Sequence, residues 1–218
     1  MGKLDLRFQQ LFKKYKPYTM IPELYYKTNL GIAFNYKDIN GSVVECGTWK
    51  GGMIAGMADI IGDSKDYHLF DSYEGLPPPT DNDGEEAVKW QVNKEGKFYF
   101  DNCTAQESDA IEAMGLSLVT EYTTHKGWFK DTVSTVRFNN GISILRLDGD
   151  WYDSTMQCLD ALFHQVNKGG VIIIDDYFAW EGCSKAVHDF LSKNNCVERI
   201  RTDGGVCKII KGESFSFN

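Results

Sequence analysis

The sequence predicts an α/β protein: a mostly parallel twisted sheet with helices on both faces and a terminal antiparallel hairpin strand. Three observations predict it. From Ser42 onward short aliphatic runs alternate with amphipathic segments, the pattern of parallel strands joined by crossover helices. Near the end two strand patterns flank the turn signal DGG, as a closing hairpin requires. The 218 residues, 42% hydrophobic and 13% aromatic, suffice for a buried core, and no composition shift or linker divides them, so residues 1–218 suit one domain.

Residues 1–40 form an N-terminal helical segment in which Leu4, Phe8, Leu11 and Phe12 recur at helical spacing, followed by Lys13, Lys14 and Lys16. Such a face is expected to pack on its own domain or a sister subunit rather than lie on a membrane. The expected strands are SVVEC (42–46), YHLFD (67–71), SLVTEY (117–122), ISILRLD (142–148), GVIIID (170–175), CVERIRT (196–202) and VCKIIK (206–211). Helical patterns cover Met53–Ile61, Ala105–Met114, Ser154–Val166 and Cys183–Asn194. Residues 75–102, with three consecutive prolines and an acidic cluster, read as an irregular lid over the carboxyl ends of the strands.

A formal net charge of −8 argues against nucleic acid as a partner, because backbone binding needs clustered Lys and Arg. The six cysteines lie far apart, with no zinc spacing, and are expected to be reduced thiols. The N-terminus has no signal-peptide run, and Leu6 stands where a myristoylation signal wants Ser or Thr; a cytoplasmic protein without membrane attachment is expected.

The chemistry concentrates at strand ends. In VVECGTWKGGMIAGMA the glycines Gly47, Gly51 and Gly52 would let backbone approach a ligand, although the spacing misses the dinucleotide fingerprint. Glu45 there would repel a pyrophosphate and suits a positively charged ligand, an ammonium or a sulfonium. Asp71, ending YHLFD, stands where doubly wound folds bind ribose hydroxyls, or else it caps a helix. Asp148 ends ILRLD, and Asp175 and Asp176 end IIIDD, so neighbouring strands bring three carboxylates to one rim. Unless a cation neutralises them they repel one another, and an all-oxygen set favours Mg²⁺. Asp153 and Ser154 read as helix caps.

Five motifs in order, ECGTWKGG, FDSYEGLPPP, GWFKDT, LRLDGDWYDST and GGVIIIDDYFAWEGCSKAVHDF, resemble the macrocin O-methyltransferase family. The resemblance runs from about Tyr18 to the helix CSKAVHDF and implies a Rossmann-like class I methyltransferase fold, S-adenosylmethionine and Mg²⁺. By that resemblance Gly47, Trp49, Gly51 and Gly52 receive the methionine part of the cofactor, with Glu45 near its ammonium. Asp71 and Ser72 hold the ribose, Gly127, Trp128 and Phe129 line the adenine pocket, Met20 closes over the cofactor, and Asp148 borders it. Asp148, Asp175 and Asp176 match the metal acids, and Asp148, Asp150 or His125 would take the proton.

The implied reaction is methyl transfer to a hydroxyl of a small acceptor with vicinal oxygens, a sugar or glycoside, activated and oriented by the metal. Trp90, Phe98, Tyr99 and Phe100 would stack on the acceptor or pack in the core. A homo-oligomer is expected, in secondary metabolism or glycan modification. Trp151 stands where the family has an aliphatic residue, and the lid and N-terminal segments are short, so the acceptor does not transfer with the resemblance. Two rivals remain: a metal-dependent nucleotide-sugar glycosyltransferase, suggested by DGD, and a non-catalytic cofactor-binding module.

Overall fold

The computed structural model describes residues 2–212; residue 1 and residues 213–218 of the expected 1–218 domain lie outside the described residues. Seven strands form one sheet: β1 Ser42–Cys46, β2 Tyr67–Asp71, β3 Tyr122–Lys126, β4 Ile142–Leu147, β5 Val166–Ile174, β6 Ile200–Asp203 and β7 Val206–Ile210. Their order is β3-β2-β1-β4-β5-β7-β6, parallel except that β7 runs antiparallel to both β5 and β6. The expected fold class, including its closing hairpin, is the one observed.

β4 is buried at all six positions, and β5 from Gly170 to Ile174, because both faces of the sheet are covered. Alternation along each strand sends Val43, Ile144, Val171 and Ile173 to one core and Val44, Leu145, Ile172 and Ile174 to the other. The first core lies under the helices Lys3–Tyr15 (α1), Glu23–Tyr36 (α2), Gly52–Ile61 (α3) and Glu107–Gly115. The second lies under the helices Tyr152–Leu162 and Glu181–Lys193.

The amphipathic N-terminus packs on its own chain through Phe8, Leu11 and Tyr15, while Leu4 stays exposed. The six cysteines are unpaired, and Cys46, Cys158, Cys183 and Cys207 are buried. Among the described residues no helix is long and apolar enough to cross a membrane.

Several boundaries differ from the sequence expectation, among them β6, which opens at Ile200 rather than Cys196. β3 is YTTHK (122–126), not SLVTEY; as an edge strand it is never fully buried, so it carries no aliphatic run to find. The helix expected to reach Val166 ends at Leu162, and Val166 opens β5. The 75–102 segment contains a helix, Gly84–Val92, beyond its prolines.

Candidate functional site

The strand order reverses between β1 and β4, and open α/β sheets form a crevice above the carboxyl ends of their strands at such a point. A cavity of about 550 Å³ lies there. Glu45 and Gly47 wall it from β1, Asp71 and Ser72 from β2, Asp148 from β4, and Asp175 and Asp176 from β5. All five tryptophans of the chain, Trp49, Trp90, Trp128, Trp151 and Trp180, line it too.

Strand geometry decides which charges meet. Glu45 and Arg146 are register partners across β1 and β4. Residues two apart share a strand face, so Asp148 joins them from β4 and Asp175 from the end of β5. Arg146, 1% exposed, places Nη1 2.7 Å from both Glu45 Oε1 and Asp148 Oδ2, and Nη2 2.7 Å from Asp175 Oδ1. Its Nε donates to Asn29 Oδ1 of α2 (3.3 Å), and Asn29 Nδ2 donates to Asp175 Oδ1 (3.3 Å).

One guanidinium thus faces three carboxyl groups. Glu45 is the one left short of partners. It is 1% exposed, its Oε2 has no hydrogen-bond partner, and burial pushes its carboxyl up to about 8 against the pull of Arg146. A buried acceptor in that condition is costly until a donor reaches it.

Asp176, one residue beyond Asp175, takes the opposite side, where carboxylate oxygens of Asp148, Asp150 and Asp176 lie within 4.8 Å of one another. Asp176 Oδ2 accepts from the Asp150 N–H (3.1 Å), and Asp150 Oδ1 accepts from Trp180 Nε1 (2.9 Å). Burial raises all three carboxyls above the ordinary range; repulsion from neighbouring acids adds to it at Asp150 and Asp176, whereas at Asp148 the pull of Arg146 opposes it. The cluster therefore differs from the expected trio: Asp150 is in it, and Asp175 is turned to Arg146 and Asn29. Asp150 reaches it through a left-handed backbone, φ 57°, which aspartate tolerates at modest cost.

Asp71 is bound by its own chain. Its Oδ2 accepts from the Trp49 N–H and its Oδ1 from the Tyr73 N–H, both at 2.7 Å, and burial still pushes it up to about 6. The glycine turn likewise answers to the chain. A Cβ at Gly47 would sit 1.7 Å from the Asp148 carbonyl oxygen, and one at Gly52 2.5 Å from that of Tyr18. At both positions neighbouring backbone, rather than a ligand, fills the space that glycine leaves.

Met20, Trp49, Trp128 and Phe129 line the cavity; Gly51, Gly52 and Gly127 are not in its lining. His125 is not in it either: its ring stacks on Phe70 (4.1 Å) and its Nε2 lies 3.0 Å from His68 Nδ1. Of the lid aromatics, Trp90, Phe98 and Phe100 line the cavity, whereas Tyr99 packs on Trp90 (5.4 Å).

Sequence reasoning missed Arg146 and Asn29. The signal for the first was present, since an arginine inside the aliphatic run ILRLD is not buried without partners. It also missed what pins the lid. Trp151 Nε1 donates to the Pro77 carbonyl (2.9 Å), and the Tyr152 N–H donates to Asp83 Oδ1 (2.6 Å).

The profile of the Macrocin-O-methyltransferase (TylF) family matches residues 19–207. The chain is 28% identical over 170 residues to the demethyldecarbamoylnovobiocin O-methyltransferase of Streptomyces niveus, covering 76% of this chain and 63% of that one. It is 33% identical over 161 residues to the 8-demethyl-8-(2,3-dimethoxy-alpha-L-rhamnosyl)-tetracenomycin-C 4'-O-methyltransferase of Streptomyces olivaceus, covering 70% and 58%. It thus spans less than two thirds of the length of these curated relatives. The solved structure of the O-methyltransferase NovP shares the fold, with a TM-score of 0.72, 24% identity, and 90% and 83% of the two chains covered. With the match spanning most of its length, the chain belongs to the macrocin O-methyltransferase family.

Proposed function

We propose that the chain is an S-adenosylmethionine-dependent O-methyltransferase acting on a hydroxyl of a sugar or glycoside with vicinal oxygens. In this proposal a divalent cation, Mg²⁺, sits at Asp148, Asp150 and Asp176. One observation carries it: three carboxylates, each with one oxygen already held, share a cavity with a buried Glu45 oxygen that has no donor.

The residues fit both groups. An all-carboxylate set suits a hard cation, which would favour the charged form that burial disfavours in these acids. An ammonium supplies the donor that Glu45 Oε2 lacks. The rhamnosyl named for the Streptomyces olivaceus relative supports a glycosidic acceptor.

When bound, the cation would lower the pKa of the acceptor hydroxyl, and the sulfonium would supply the methyl group. The chain's residues do the rest. Glu45 binds the ammonium, Asp71 turns its remaining lone pairs to the ribose, and Trp128 and Phe129 wall the base. Arg146 holds Glu45, Asp148 and Asp175 in one geometry. Asp150, fixed at one oxygen by Trp180, receives the acceptor proton. The aromatic walls exclude water from the transfer. The chain works in the cytoplasm, as a homo-oligomer.

Calorimetric titration of S-adenosylhomocysteine and of Mg²⁺ tests this. Saturable binding of both, with the Mg²⁺ heat lost in Asp148→Ala, is the expected result. Absence of S-adenosylhomocysteine binding sinks the proposal.

A further inference from the structure

We infer that Trp180 is a positioning residue for Asp150, and that the lid sets its place through an interlocked group of three tryptophans. The inference rests on the proposed function for the role of Asp150, but the contacts stand by themselves.

Asp150 needs holding. It sits on a short loop between β4 and the helix Tyr152–Leu162 with φ at 57°, beside two acids that repel it. Its Oδ1 accepts one side-chain hydrogen bond, from Trp180 Nε1 at 2.9 Å. A carboxylate held by a single fixed donor takes its direction from that donor.

The indole of Trp180 is itself held edge-on. Its ring centroid lies 5.1 Å from that of Trp151 and 5.9 Å from that of Trp90, and Trp90 and Trp151 lie 5.9 Å apart, with interplanar angles of 70–79°. Three indoles in mutual edge contact, with Trp151 fully buried between the lid and the sheet, restrict one another's rotation. Trp90 belongs to the lid helix Gly84–Val92, and Trp151 Nε1 is tied to the lid at Pro77. Asp83, 1% exposed, closes the same contact from the lid side: it accepts from the Tyr152 N–H and leaves no room for a Cβ at Gly182, two residues past Trp180. The path from lid to acid is therefore continuous: Trp90 to Trp180 to Asp150. A displaced lid lets the Trp180 ring turn and releases the carboxylate.

The test is a double-mutant cycle read by divalent-cation affinity, measured by calorimetry with Mn²⁺ or Mg²⁺, alongside kcat and KM. Trp180→Phe keeps a ring in place and deletes the donor. Hydrogen bonds to charged groups have the strength for it to weaken the cation about tenfold and lower kcat similarly, with the S-adenosylhomocysteine affinity unchanged. In an Asp150→Gly background, which removes the acceptor and suits the left-handed backbone, the same substitution should add nothing, because Trp180 acts through Asp150. Trp90→Leu, at the lid end, should give a smaller loss that also vanishes with Asp150→Gly.

A wild type that binds the cation while Trp180→Phe binds it equally well overturns the inference alone. So do losses that add fully to that of Asp150→Gly, since they mark a merely structural role. A wild type that binds no divalent cation overturns the proposed function and this inference together.

Discussion

At Asp71 both carboxylate oxygens accept backbone N–H bonds of 2.7 Å, from Trp49 and Tyr73, whereas Asp148, Asp150 and Asp176 each have one oxygen held, by Arg146, Trp180 and the Asp150 N–H respectively. All four aspartates border the same cavity, at the same edge of the same sheet. The first is largely spent on shaping the turns around it; the others each keep an oxygen for a ligand, and burial makes their charged form costly without a cation. Partner geometry, rather than residue type or position along a strand, separates an acid that builds a site from one that works in it.

The largest effect should come from Asp148→Ala, which opens the half-satisfied cluster. Divalent-cation binding should disappear in calorimetry and methyl transfer should fall on the order of 10³-fold or more, as loss of a Lewis acid implies. Asp71→Asn is the contrasting substitution. The new amide sets an N–H against one backbone N–H, so the protein should lose about 1–3 kcal/mol of stability, read by thermal or urea unfolding, while still binding the cation. Loss of cation binding in Asp71→Asn would erase the distinction between the two regions.

Glu45→Gln comes next. S-adenosylhomocysteine should bind about tenfold or more weakly, since a charged hydrogen bond is lost. The same titration with 5′-methylthioadenosine, which has no ammonium, should show no change, and an equal loss for both ligands would place the ammonium elsewhere.

The raised carboxyls predict a smaller effect of pH on the protein free of ligand and cation. Asp71 and Glu45, ordinarily near 3.8 and 4.5, titrate at about 6 and about 8 in the fold. Between those values the folded chain holds protons that the unfolded chain has released, so stability falls as pH rises. The melting temperature should be lower at pH 8 than at pH 5, and Mg²⁺ should raise it more at pH 8. A melting temperature that climbs across this window would show that the site carboxyls are not raised.

The smallest effect belongs to His125→Gln. The ring stacks on Phe70 outside the cavity lining, so cofactor affinity and turnover should stay at wild-type level. A fall in turnover alone would bring His125 back as a proton acceptor.

Much of this was legible along the chain. The aliphatic runs of β1, β4 and β5, the carboxylates near their ends and the closing hairpin can all be read from residue order, because a strand buried on both faces is mostly aliphatic. β3 was not legible: an edge strand reading YTTHK needs no apolar pattern. The roles of Gly47 and Gly52 were half legible, since the need for glycine shows in the sequence but the atoms that impose it, the carbonyls of Asp148 and Tyr18, come from distant segments.

By itself, then, the sequence determined the fold class, the rim on which the charges gather and the family to which the chain belongs. Only the tertiary structure decided how those charges divide. Asp175 and Asp176 open the 3-10 turn Asp175–Phe178 just beyond β5, and there Asp175 meets Arg146 while Asp176 meets Asp148 and Asp150. The register of β1 against β4 decided that Glu45 meets Arg146, and the packing of the lid decided that Trp90 reaches Trp180. Alternation is a local property that one strand can announce, but convergence of side chains from several elements depends on how those elements are set against each other.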